Sequence, residues 1–148
     1  MDLTFRDARR DDLPRIIALL TDDALGAGRE KAPMLAYEQA FDTVAADGNN
    51  VLVVGELDGE VVASMQLTFI PTISRGGSTR MLVEAVRVDT RLRNQGLGSL
   101  LMAEAHRRGR ERGCTLAQLT SDKRRSDAHR FYTRLGYAQS HEGFKLSL

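Results

Sequence analysis

The spacing of apolar positions changes character along the chain. Leu3 and Phe5 alternate with polar neighbours and predict a short strand. Asp11 and Asp12 then precede the apolar run 13–20, with Pro14 in its first turn, a combination suited to a helix start. Residues 21–31 are polar, include Gly26 and Gly28, and predict a loop. From Pro33 onward Met34, Tyr37, Phe41 and Val44 recur at spacings of three and four, the pattern of an amphipathic helix ending near Asp47-Gly48. Residues 51–57 and 60–70 flank Asp58-Gly59, a strong hairpin signal. Pro71 and a turn at 75–78 lead into a third apolar run at 79–88, so 51–88 predicts an antiparallel three-stranded meander.

After a polar link at 89–95, a helix is predicted over 96–112. Leu97, Leu100, Leu101 and Ala105 form its apolar face, and Gly113 is its stop. A strand at 114–120, a charged loop at 121–126 and a helix at 127–135 follow. Residues 137–148 predict a terminal pair of strands. Strand, helix and strand across 88–120 read as a right-handed crossover between parallel strands. With no repeat and no linker, the expectation is one α/β domain over residues 1–148, a mixed sheet with helices on its faces.

Composition narrows the function classes. The chain has 148 residues, 21 Lys plus Arg and 20 Asp plus Glu, a net charge of +1. That balance argues against a general polyanion binder. The basic residues 107, 108, 110 and 112 are diluted by Glu104 and Glu111, and only 5% of residues are aromatic, so nucleic acid is not an expected partner. Cys114 is the sole cysteine, which excludes an intramolecular disulfide and a thiolate-rich metal centre; no metal is expected. No stretch reads as a signal peptide or a membrane span, and the expected location is the cytoplasm.

Arg93-Asn94-Gln95-Gly96-Leu97-Gly98 leaves a strand and opens a helix. The first amides of a helix lack internal partners, and the helix dipole places positive charge there. Glycines at 96 and 98 let an anion approach the backbone, and Arg93 adds a formal charge. The segment is therefore an anion cradle suited to a pyrophosphate. It lacks the Gly-Lys-Ser/Thr ending of a P-loop and the third glycine of a dinucleotide fingerprint.

This motif resembles the acyl-CoA pyrophosphate loop of GNAT-type N-acetyltransferases. Arg6-Asp7-Ala8 resembles the family's first strand-to-helix passage, and the run from Ala128 through Phe131-Tyr132 to Leu135-Gly136-Tyr137 resembles its last helix. The resemblance implies a mostly antiparallel sheet of about seven strands, splayed between the fourth and fifth, with about four helices. It implies acetyl-CoA as acetyl donor. Backbone groups of Val86, Arg87 and Val88 would meet the pantetheine arm and thioester. Arg93, Asn94, Gln95, Gly96, Leu97, Gly98 and Ser99 would hold the pyrophosphate, with Ala128 and Phe131 contacting the cofactor from the last helix. Arg125 stands where many members carry Asn; it reads either as a solvated loop cation or as a partner for the 3′-phosphate.

The implied reaction is direct attack of a primary amine on a thioester through a tetrahedral intermediate. It needs a base for the ammonium proton, a donor for the oxyanion and an acid for the leaving thiolate. Tyr132 matches the family tyrosine that reaches the cofactor sulfur, the alternative being a packed aromatic. Glu84 interrupts an apolar strand and is the candidate base; simple alternation would set Val86 and Val88 on its face. An ion pair with Arg87 or with a neighbouring strand is the structural alternative for Glu84, and bound water is the alternative base. His106, His129, His141 and Cys114 are assigned no catalytic role. The acceptor is a small-molecule amine or a protein amine, and a homodimer through a sheet edge is compatible with the pattern. The rival reading is a non-catalytic acyl-CoA sensor on the same scaffold.

Overall fold

The antiparallel meander forms where the hydrophobic alternation places it. In the structure, a computed structural model describing residues 2–148, β1 (Thr4–Asp7), β2 (Asn50–Leu57), β3 (Glu60–Pro71) and β4 (Thr79–Val88) pair antiparallel in that order. β5 (Cys114–Gln118) adds to β4 in parallel. The helices are α1 (Leu13–Thr21), α2 (Ala24–Arg29), α3 (Met34–Ala46), the single turn α4 (Ser74–Gly77), α5 (Leu97–Glu111) and α6 (Ser126–Arg134). The chain divides into two compact units, the first ending at Gln118 and the second running over Leu119–Leu148.

In the first unit the sheet is buried on both faces. Ile16 and Leu19 of α1 pack on Val54 and Val61, with Leu20 and Leu52 beside them. Leu97, Leu101, Met102 and Ala105 of α5 are buried, as are Met65, Leu67, Met81 and Val83 of the sheet. Burying each of the Leu, Met and Val side chains contributes about 1.5–3 kcal/mol. The α5 crossover between β4 and β5 is what makes their parallel pairing possible.

Three expectations change. The loop expected at 21–31 contains α2, started by Asp23, whose carboxylate accepts from the Gly26 amide. Gly26 belongs there because a Cβ would lie 1.8 Å from the Leu20 carbonyl oxygen, so its absence lets α2 fold back on α1. With α2 and the α4 turn, the helices among the described residues number six rather than about four. Among the described residues the sheet has five strands, not about seven: residues 137–148 join no ladder. A strand pair without a third strand or packed face is marginal, and Phe144 and Leu146 are 95% and 84% exposed. Among the described residues no helix is long and apolar enough to cross a membrane.

Candidate active site

β4 carries two features that alternation alone does not show. Its pairing with β5 stops at Leu82 and Gln118, so residues 83–88 have no partner on that side. The β4–β5 ladder ends at the last residue of β5, in the strand pair where the splay is expected, and it leaves the stretch holding Val86, Arg87 and Val88 outside that ladder. The second feature is a bulge. Gln66 faces Glu84 and Ser64 faces Arg87, two positions apart on β3 but three on β4. The extra residue sits at Ala85, whose φ of 53° is left-handed.

The bulge changes which side chains share a face. Glu84 lies on one face with Arg87, whereas Val88, opposite Ala63, falls on the other. The expected trio of Glu84, Val86 and Val88 on one face is therefore not formed. Glu84 is exposed and forms no ion pair among the described residues. The alternative of a Glu84–Arg87 pair is not seen: the Arg87 Nε instead lies 3.6 Å from Asp23 Oδ2, and an Arg87 amino group donates to the Val86 carbonyl at 2.9 Å.

Beyond β4 the chain makes a 3-10 turn, Thr90–Leu92, and then the glycine loop. Arg93 is extended, Asn94 has φ 63°, and Gly96 has φ 82°. Arg93, Asn94, Gln95 and Gly96 are all exposed. The first helical hydrogen bond into the Gly96 carbonyl comes from the Leu100 amide at 3.2 Å, so the amides of Leu97, Gly98 and Ser99 precede the intrahelical ladder of α5. Leu97 is buried and pins the start of the helix, while Ser99 stays exposed. The arrangement fits a pyrophosphate: a guanidinium, unpaired helix-start amides and no side chain in front of Gly96, where an added Cβ would meet nothing within 4 Å.

Asp89, read from sequence only as part of a polar link, anchors this loop. It is 3% exposed. Its carboxylate accepts from the Arg91 amide at 2.9 Å, from the Arg91 guanidinium at 2.6 Å and from Arg15 of α1. Those hydrogen bonds, Arg91 foremost and Arg15 next among side chains, hold its carboxyl well below the usual carboxylate range. Arg15 also donates to the Val61 carbonyl at 2.8 Å, and Thr90 donates to Asp22 at 2.9 Å. The strand end, the loop and α1 are thus tied by ionic hydrogen bonds. An aspartate at a strand end with Arg91 two residues on was the available signal, but its other guanidinium partner, Arg15, lies far away in sequence.

In the second unit α6 presents Ala128, His129, Phe131 and Tyr132 as its half-buried positions, with Leu135 half-buried at its C-cap. The Tyr132 ring meets Phe131 edge-on at 5.1 Å and Tyr137 at 5.9 Å. Burial, with Tyr132 as neighbour, pushes the Tyr137 phenol up to about 12. His129 contacts the Asp122 carbonyl at 2.8 Å, which supports a structural role for it. Arg124 pairs with Asp122 at 2.8 Å, and the Arg125 amide donates to the Asp122 carbonyl at 3.0 Å just ahead of the helix. Cys114 is half-buried and its thiol is pushed up by burial, which disfavours a thiolate nucleophile. His106 is half-buried, and burial lowers its pKa, with Arg110 adding to the effect.

Comparison with known proteins agrees with this geometry. Residues 11–137 match the sequence model of the Acetyltransferase (GNAT) family. The chain is 30% identical over 143 residues to an aminoalkylphosphonate N-acetyltransferase of Salmonella typhimurium, covering 97% of this chain and 90% of that one. It is 42% identical to a structure from Bacillus halodurans described as a transcriptional regulator, with TM-score 0.94 and 99% of each chain covered. It is 25% identical to a Trypanosoma brucei acetyltransferase, with TM-score 0.81 over 99% of this chain and 100% of the other. The open β4 edge, the loop opening α5 and these likenesses agree: the chain belongs to the acetyltransferase (GNAT) family and is an N-acetyltransferase.

Proposed function

We propose that this chain transfers an acetyl group from acetyl-CoA to the primary amine of a small acceptor, working in the cytoplasm as a single domain without a metal. The observation that carries the donor is the exposed run from Arg93 to Gly96 leading into the free amides of α5, beside a β4 edge unpaired from residue 83. Acetyl-CoA supplies an activated thioester. Arg93 and the amides of residues 94–99 hold its diphosphate, and backbone groups of Val86, Arg87 and Val88 orient the arm that bears the acetyl group. Ala128 and Phe131 supply apolar contact from α6, and Arg125 meets the 3′-phosphate.

Glu84 takes the proton from the acceptor ammonium, directly or through one water, so that the nitrogen lone pair is available. Its support is its position: an exposed, unpaired carboxylate at the bulge of an otherwise apolar strand. Tyr132 gives its phenolic proton to the departing sulfur. A β4 amide beyond the bulge donates to the oxyanion. The Salmonella typhimurium relative makes an aminoalkylphosphonate the first acceptor to try.

Calorimetric titration with acetyl-CoA, CoA, ATP and NAD tests the donor, and thiol release with a panel of amines tests the acceptor. Selective binding of the two CoA species and turnover with an aminoalkylphosphonate are expected. Binding without turnover on any amine would favour the sensor reading, for which the Bacillus halodurans regulator is the supporting likeness. Tyr132→Phe should lower kcat by about 10²-fold with little change in acetyl-CoA KM; a wild-type kcat removes Tyr132 as the acid.

A further inference from the structure

The two faces of the sheet differ along the first half of β4. Met81 and Val83 are buried. They lie on the face that α5 covers, where a Cβ added to Gly109 would come within 3.1 Å of Met81. Arg80, Leu82 and Glu84 alternate onto the other face, opposite Ile70, Thr68 and Gln66 of β3. Glu84 is exposed and the other five are half-buried, so this part of the sheet is an open floor.

The neutral polar groups of this floor are taken. Asn50 Oδ1 accepts from Gln66 Nε2 at 3.2 Å and from the Thr68 hydroxyl at 2.7 Å, and the Asn50 amide donates to Asp47 at 3.0 Å. The two charged groups are not. Glu84 meets no cation among the described residues, and Arg80 meets no carboxylate. The Arg80 Nε is buried and has no hydrogen-bond partner among the described residues. Other half-buried arginines behave differently: Arg6 pairs with Asp12 at 2.7 Å, Arg15 with Asp89 and Arg108 with Asp7 at 2.7 Å, and Arg87 lies 3.6 Å from Asp23. A guanidinium that gives up water without gaining an acceptor is costly, so this site is built for a group that the chain itself does not supply. Arg80 and Glu84 stand four residues apart on one strand, so their Cα atoms are separated by about 13 Å. The reach of the two side chains brings that span down to the size of a small molecule.

We propose that Arg80 binds an anionic group on the acceptor, so that the molecule acetylated is a short zwitterion with its ammonium at Glu84 and a phosphonate, phosphate or carboxylate at Arg80. This rests on the role proposed for Glu84 and adds what the far end of the acceptor must be. The guanidinium fork matches two oxygens of one such group, and Nε–H is one of the donors of that fork. Opposite charges at the two ends of the floor accept a zwitterion in one direction only, which sets the amine, not the anion, at the catalytic carboxylate. An uncharged tail leaves Arg80 without an acceptor, and a diamine sets a second cation against it, so both are disfavoured.

Three amines of matched length test it: 2-aminoethylphosphonate, β-alanine and propylamine. The wild type should favour at least one of the two zwitterions over propylamine by about 10- to 100-fold in kcat/KM, chiefly through KM. Which zwitterion leads decides between phosphonate and carboxylate. Arg80→Met keeps the apolar stem and should abolish the preference, while Arg80→Lys should restore part of it. Arg75→Ala removes the same charge at the exposed α4 turn and should leave the preference intact. Far-UV circular dichroism should show all three variants folded. Binding is read apart from transfer, by calorimetric titration of each zwitterion in the presence of CoA, and Arg80→Met should weaken the tighter one at least about tenfold. If no amine releases thiol, the transfer reading falls and the calorimetry alone decides on Arg80. A wild type that binds neither zwitterion, or an Arg80→Met variant that binds them as the wild type does, overturns the proposal.

Discussion

Two carboxylates five positions apart at the end of β4 meet opposite fates. Asp89 is buried, accepts from two arginines and a backbone amide, and is held far toward its ionised form. Glu84 is exposed, stands at a bulge and pairs with no cation among the described residues. A carboxylate whose lone pairs are all taken can fix geometry but has little left for a proton. One left open is available for chemistry and fixes nothing. The strand end thus separates an anchor from a reagent, and the glycine loop continues the division. Arg91 is spent on Asp89 and Glu60, while Arg93, two residues on, is exposed and pairs with no carboxylate among the described residues.

The sharpest way to break this contrast is at Arg93. A charge-assisted hydrogen bond to a phosphate is worth about 1.5–3 kcal/mol, and reversing the charge adds repulsion. Arg93→Glu should therefore weaken acetyl-CoA binding by about 10²- to 10³-fold, read by calorimetry, with no loss of thermal stability. Unchanged affinity would place the pyrophosphate elsewhere.

Glu84→Gln comes next, at about 10²-fold in kcat/KM, the usual contribution of a general base. The loss should be greatest at low pH, where the acceptor most needs a base, and acetyl-CoA affinity should not move. A kcat/KM–pH profile superimposable on the wild type would assign the proton to water.

At Asp89 the effect should fall on stability. Removing one partner from a fully buried ion pair costs about 3–5 kcal/mol, and less here because both guanidiniums reach solvent, so Asp89→Ala should lose on the order of 2 kcal/mol. The pH dependence has a definite sign. The folded pKa lies below the unfolded value of about 3.9, so the stabilisation is present above that pH and is lost as pH falls through it toward the folded value. Urea midpoints of wild type and Asp89→Asn should therefore converge below about pH 4. A constant gap would show that Asp89 is not titrating as an anchor.

Much of this was legible in the residues, and what was not shares a cause. The meander announced itself through alternation and Asp58-Gly59, and the pyrophosphate loop through Arg93, Gly96 and Gly98, because those signals are local. Asp89 was not legible as an anchor because Arg15 lies in α1. The bulge was hidden because Ala85, not a glycine, takes the left-handed conformation. α2 was masked by Gly26, whose role is a close approach to Leu20 rather than a turn. At residues 143–148 the strand pattern is present, but pairing requires an edge, and no local signal names the edge.

The smallest effect tests the open side of the contrast at Gly96. Its φ of 82° is left-handed, and an L residue there costs about 1–2 kcal/mol. Space is not the issue, since a Cβ would meet nothing within 4 Å. Gly96→Ala should thus cost about 1 kcal/mol of stability and, by placing a methyl where a phosphate approaches, weaken acetyl-CoA binding about fivefold more than stability alone explains. The two readouts separate the two roles of this glycine. If melting drops while affinity holds, Gly96 serves only the backbone turn, and the diphosphate is held by Arg93 and the later amides. If affinity drops as well, the approach of the ligand to bare backbone is part of recognition, and the loop is open at this point because a ligand must come within contact of the main chain.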